Sequence, residues 1–88
     1  MKIEFKKSFL SDLKKLKSKS LKDSVTDCIK QVESSVNLTQ IKNLKKLTGY
    51  DKYYRIRMGD YRIGVKIEND TVYFVVFEHR KNIYRGFP

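Results

Sequence analysis

The hydrophobic positions change period partway along the chain, which divides the sequence into a helical half and a strand half. Lys2 to Phe5 alternates polar and apolar residues and predicts a first strand. Phe9, Leu10, Leu13 and Leu16 then fall on one helical stripe behind Ser8 as a cap. Ser20 with Asp23 three residues on resembles a capping box, and Leu21, Val25, Cys28, Ile29 and Val32 predict a second helix ending near Ser35. Leu38, Ile41, Leu44 and Leu47 recur every third residue, which suits a helical turn running into an extended approach segment closed by Gly49. From Tyr53 the period is two. YYRIRM, YRIGVKIE and TVYFVVFEH are separated by Gly59-Asp60 and Asn69-Asp70, which predicts three antiparallel strands joined by a type II′ and a type I′ turn. RKNIYRGFP is then a short tail with one helical turn.

Two-residue loops fix register, so the cross-strand pairs follow from the sequence. Arg57 faces Arg62, Arg55 faces Gly64 and Tyr53 faces Lys66; across the second hairpin, Arg62 faces Phe77 and Lys66 faces Tyr73. The opposite face collects Tyr54, Ile56, Met58, Ile63, Val65, Ile67, Val72, Phe74 and Val76 as the core for the helix stripes. The first face is left in solvent with Arg55, Arg57, Arg62 and Lys66, with Tyr53, Tyr73, Phe77 and His79 nearby. No carboxylate is expected in those rows. Opposed like charges destabilise a strand pair, so this register suggests a site waiting for an anion.

Composition sharpens that reading. Eighty-eight residues make one domain, 1–88, and 20 Lys+Arg against 10 Asp+Glu give a formal charge of +10, which points to a polyanion such as nucleic acid. All five arginines lie in the second half, while most lysines lie in the first. Arginine's planar fork binds phosphate bidentately, whereas lysine is a hydrated point charge suited to long-range attraction. Lys14, Lys15, Lys17, Lys19 and Lys22 are solvated helix faces or steering charges. Gly64 leaves either a hollow for a base or sugar or a kink in its strand. Cys28, the single cysteine, fits a small buried hydrophobe. The longest apolar run, Val72 to Phe77, is far short of the roughly 20 residues of a membrane span, and MKIEFKK has no apolar signal region, so a cytoplasmic protein without membrane contact is expected.

The run from Lys46 to Tyr84 resembles the RelE/ParE superfamily of toxin-antitoxin toxins. Its pieces are the K-L-x-G approach, the Y-R-I-R-x-G-D-Y-R-I hairpin, the turn before an apolar strand and the closing H-R-x-x-I-Y. The resemblance implies an α+β fold: a twisted, mainly antiparallel four-stranded sheet with two N-terminal helices packed on one face and a short C-terminal tail. It implies an endoribonuclease that needs no metal or cofactor and cleaves mRNA on the 70S ribosome, leaving a 2′,3′-cyclic phosphate. It also implies a cognate antitoxin as partner in a hetero-oligomer, the free toxin being monomeric because its charge opposes self-association.

Carried over by position, the family's basic strand pair corresponds to Arg55 and Arg57, its hairpin arginine to Arg62, its late arginine to Arg80 and its terminal tyrosine to Tyr84. The guanidinium groups would stabilise charge developing on the phosphoryl group, and Tyr84 would take the 2′-hydroxyl proton with neighbouring cations favouring its phenolate. His79, the only histidine, is either a rival acid or a strand-end packing residue. Lys46, Lys66, Tyr53, Tyr73 and Phe77 are candidate RNA contacts, the aromatics by stacking on bases. A ParE-like gyrase inhibitor and a non-catalytic RNA-binding module are the alternatives.

Overall fold

A computed structural model describes residues 1–88. Its strands are β1 (Lys2–Phe5), β2 (Leu44–Lys46), β3 (Tyr53–Met58), β4 (Tyr61–Glu68) and β5 (Thr71–His79), with helices α1 (Lys7–Lys14) and α2 (Lys19–Ser34) between β1 and β2. Short 3-10 turns follow at Leu38–Gln40 and Ile83–Arg85. The cap of α2 is Ser18 rather than Ser20: its backbone is extended and its side chain accepts from Leu21 N. Lys6, at the head of α1, makes no side-chain cap, and Ser8 is already inside the helix. No helix is long and apolar enough to cross a membrane.

The sheet has five strands, not four, in the order β1-β5-β4-β3-β2. The added strand is β2, an antiparallel edge that pairs Leu44 with Ile56, Lys45 with Arg55 and Lys46 with Tyr54. Three residues are too few to display a period of two, and the surrounding leucine spacing of three hides them. The opposite edge is β1, which runs parallel to β5 and makes the sheet mixed. Both tight turns form as expected. Gly59 has φ +60°, and Asn69 and Asp70 have φ 53° and 61°, the left-handed pair that a type I′ turn requires.

Register between β3 and β4 is the expected one, including Arg57 against Arg62 and Arg55 against Gly64. Between β4 and β5 it holds from the turn to Val65 against Phe74 and then shifts at a bulge. Beyond the bulge Gly64 pairs with Val76, Ile63 with Phe77, Arg62 with Glu78 and Tyr61 with His79. One extra residue reverses every later side chain, so Phe77 enters the core at 3% exposure and Glu78, not Phe77, stands opposite Arg62. The expectation of a face free of carboxylates is corrected with it. Helix α1 satisfies the displaced backbone: Ser8 Oγ donates to Val75 O, and Asp12 Oδ2 accepts from Phe77 N at 2.9 Å. Ser8 and Asp12 are four apart and so share one helix face.

The core joins both helices to the inner face of the sheet. Phe9, Val25, Val32 and Ile41 pack with Ile56, Ile63, Val65, Val72, Phe74 and Phe77. Phe9 and Phe74 lie 5.3 Å apart between ring centroids, and Tyr61 stacks on Phe77 at 5.0 Å. Cys28 packs against this cluster, and burial pushes its thiol up to about 11.

The outer face is not bare. Ile83 and Phe87 of the tail are buried, and the Phe87 ring fills the space over Gly64. Of the two readings of Gly64, the hollow is occupied by the protein itself, and the register shift between Gly64 and Val65 agrees with the strand irregularity.

Candidate active site

Alternation along the strands puts Lys45 of β2, Arg55 and Arg57 of β3, Arg62 of β4 and Glu78 of β5 on the outer face. The backbone holds two of these side chains in place. Arg62 Nη1 donates to the carbonyls of Gly59 at 2.7 Å and Tyr61 at 2.8 Å, so the hairpin turn orients its guanidinium. Arg55 Nη1 donates to Asn43 O at 3.1 Å, and the same carbonyl accepts from Arg57 N at 3.1 Å. Asn43 presents that carbonyl from a left-handed backbone, φ 62°.

None of these guanidinium groups has a carboxylate partner. The ion pairs of the molecule are Lys52 with Glu68, Lys66 with Glu68 at 3.9 Å, and Arg80 with Asp60 at 3.9 Å. Partial burial, and then the like charges of Arg55 and Arg57, lower the Arg62 pKa from its ordinary value; Tyr84 opposes that shift and Arg80 adds to it. Four other side chains of the expected site, Arg55, Arg57, Arg80 and Tyr84, are thus electrostatically within reach of Arg62. Glu78 shares the face without forming an ion pair.

Three adjoining hollows run along this surface as a basic trough. The first, about 310 Å³, lies between Lys45, Lys46, Thr48, Arg55 and Tyr84. The second, about 360 Å³, shares Lys45 and Arg55 with it and adds Asn43 and Arg57. The third, about 650 Å³, shares Asn43 and Arg57 with the second and adds Asp60, Arg62 and Arg80. Arg55, Arg57, Arg62, Arg80, Tyr84 and Lys46 are therefore gathered along one trough, with Tyr84 and Lys46 at one end and Arg62 and Arg80 at the other.

The remaining candidates are not. Phe77 is in the core. His79 lies on the core side with Tyr61, whose ring meets it edge-on at 5.4 Å, and its Nδ1 accepts from Lys81 N at 3.2 Å. That is the packing reading of His79. Tyr53 packs edge-on against Phe87 and Tyr50, Tyr73 lies under the Lys6 ammonium at 5.1 Å, and Lys66 is beside Glu68. Lys45 and Asn43 were missed. Reading Leu44–Lys46 as a strand would have found Lys45, since its partner is Arg55; the only signal for Asn43 is the tolerance of asparagine for a left-handed backbone.

Arg55, Arg57 and Arg62, free of ion pairs along a groove, suit a phosphodiester backbone, and the exposed Tyr84 phenol supplies an oxygen at one end of it. Comparisons with known proteins point the same way as the fold. A family model described as ParE toxin of type II toxin-antitoxin system, parDE, matches residues 3–84. The chain is 40% identical to Toxin RelE3 of Methanocaldococcus jannaschii, with 100% of each covered. The RelB-RelE antitoxin-toxin complex from Methanococcus jannaschii matches with a TM-score of 0.80 and 38% identity, over 97% of this chain and 99% of that one. YafQ from E. coli strain BL21(DE3) shares the fold at a TM-score of 0.73 with 13% identity, over 93% and 96% of the two chains. On these matches in sequence and fold, the chain belongs to the RelE/ParE superfamily and is a RelE-like toxin of the type II toxin-antitoxin class.

Proposed function

We propose that this toxin is a ribosome-dependent endoribonuclease that cuts mRNA by internal attack of a ribose 2′-hydroxyl. The observation that carries this reading is the trough in which Arg55 adjoins Tyr84 and Arg57 and Arg62 continue the line, none of the three with a carboxylate partner. In the proposed step the Tyr84 phenolate accepts the 2′-hydroxyl proton, the 2′-oxygen bonds to phosphorus and the bond to the 5′-oxygen breaks. The products are a 2′,3′-cyclic phosphate and a 5′-hydroxyl, the leaving oxygen taking its proton from solvent. Arg55, Arg57 and Arg62 stabilise the charge gathering on the phosphoryl oxygens. Arg80 stabilises the leaving oxygen by charge, since a guanidinium hardly gives up a proton. Metal is not needed in this step, because the arginines supply the cationic field.

The partner in the cell is a cognate antitoxin, in keeping with the RelB-RelE relative, and the site of action is the cytoplasm, where translating ribosomes are. The ParE description of the matching family favours a second reading, gyrase inhibition without RNA cleavage. Cleavage of mRNA on translating ribosomes separates the two. Arg62→Ala and Tyr84→Phe should each lower the rate at least about a hundredfold, the scale of losing a charge stabiliser or a general base, with the fold intact. Wild-type rates in both variants, or gyrase inhibition by a toxin that leaves mRNA whole, would overturn the nuclease reading.

A further inference from the structure

The tail that carries Tyr84 has little structure of its own, a 3-10 turn of three residues closed by Arg85 N donating to Asn82 O at 3.1 Å. Such a turn does not hold a side chain in place unaided. Two apolar anchors flank it. Ile83 is 1% exposed and Phe87 is 4% exposed, while Tyr84 between them is 58% exposed. Neither anchor belongs to the core cluster on the helix side of the sheet.

The socket for Phe87 is made by an absent side chain. A Cβ on Gly64 would lie 2.8 Å from Phe87 Cε2, 2.9 Å from Phe87 Cδ2 and 2.7 Å from Val76 Cγ2, all closer than carbon atoms approach. Gly64 does not have a positive φ, so close approach rather than backbone geometry calls for glycine here. Tyr53 closes the socket, its ring edge-on to Phe87 at 5.7 Å. Gly64 is also the cross-strand partner of Arg55, which lines the first hollow together with Tyr84. The anchor and the phosphate-binding side chain thus share one rung of the sheet.

We propose that Phe87, seated over Gly64, is a positioning residue that holds Tyr84 against the Arg55 end of the trough. The inference rests on Tyr84 being the base of the proposed cleavage. A phenol free to swing away keeps its chemistry but loses the oriented approach to the 2′-hydroxyl, and small misplacements of a catalytic group are costly. Loss of the anchor therefore acts on the chemical step and leaves the arginine trough, and so ribosome and mRNA binding, in place.

The test is cleavage by purified toxin on translating ribosomes, with melting curves to verify folding. Phe87→Ala should lower kcat at least about tenfold with the half-saturating ribosome concentration unchanged. Phe87→Leu, which refills the socket, should restore most of the rate. In a Tyr84→Phe background, Phe87→Ala should cost nothing further, because nothing remains to be positioned. The proposal is overturned if Phe87→Ala turns over like wild type while Tyr84→Phe does not, or if Phe87→Ala costs the same factor in both backgrounds. Should Phe87→Ala not fold, Phe87→Val takes its place under the same criteria. Wild-type cleavage by both Tyr84→Phe and Arg62→Ala would instead sink the reading of the site, and the positioning role with it.

Discussion

The two faces of the sheet obey opposite rules. On the inner face Ile56, Ile63, Val65, Phe74 and Phe77 are buried against Phe9, Val25 and Val32, and no charge enters the cluster. On the outer face Arg57 stands directly across from Arg62 and Lys45 across from Arg55, pairings that weaken a strand contact. A sheet selected only to fold would alternate signs there or use threonine. The difference separates residues that hold the chain together from residues whose like charges stand opposed at some cost to stability.

That contrast breaks most readily in the core. Phe74→Ala should destabilise the protein by about 3–5 kcal/mol, enough to unfold much of a domain this small. Chemical denaturation measures it, and a loss under about 1 kcal/mol would mean the inner face does not carry the stability. Next in size is the link between the faces. Asp12→Ala leaves Phe77 N without its acceptor beside the bulge and should cost about 1–3 kcal/mol, with Asp12→Asn milder. An unchanged melting temperature would show that the bulge does not depend on α1.

Arg57→Thr should have the opposite sign on stability, a gain of a few tenths to about 1 kcal/mol from relieved repulsion. It should also weaken RNA binding and flatten its salt dependence by about one counterion. A loss of stability in this variant would contradict the assignment of the outer face. The last effect shows only in alkali. The Cys28 thiol keeps its proton in the folded protein up to about 11, against an ordinary 9.0, so its contribution is intact below pH 9.0 and is lost as pH rises towards about 11. Comparing the pH dependence of melting in wild type and Cys28→Ala isolates this contribution, and equal alkaline slopes would contradict it.

Much of this contrast was legible in the sequence because it depends on period and turn chemistry. Gly59-Asp60 and Asn69-Asp70 fix the hairpins, and with them Arg57 against Arg62. The bulge was not legible: the apolar run from Val72 to Phe77 has no polar residue to mark a change of phase, and the groups that favour the shift, Ser8 and Asp12, are more than sixty residues away in sequence. Val76, expected in the core, and Phe77, Glu78 and His79 all change face for that one reason. In the sequence the tail looks like an appendage, because its anchor Phe87 finds its partners only on the sheet, at Gly64 and Tyr53. Charge and register alone point to Arg55, Arg57 and Arg62, Tyr84 enters only through the family resemblance, and Lys45 is hidden with its short strand.

The mode of cleavage is tested at one bond, in RNA carrying a single 2′-deoxyribose at the mapped cleavage position in the ribosomal decoding site. Internal attack by the 2′-hydroxyl requires that wild-type toxin cuts the all-ribose message to a 2′,3′-cyclic phosphate and leaves the substituted message intact there. Cleavage at the deoxy position, or fragments ending in a 3′-hydroxyl and a 5′-phosphate, would contradict it.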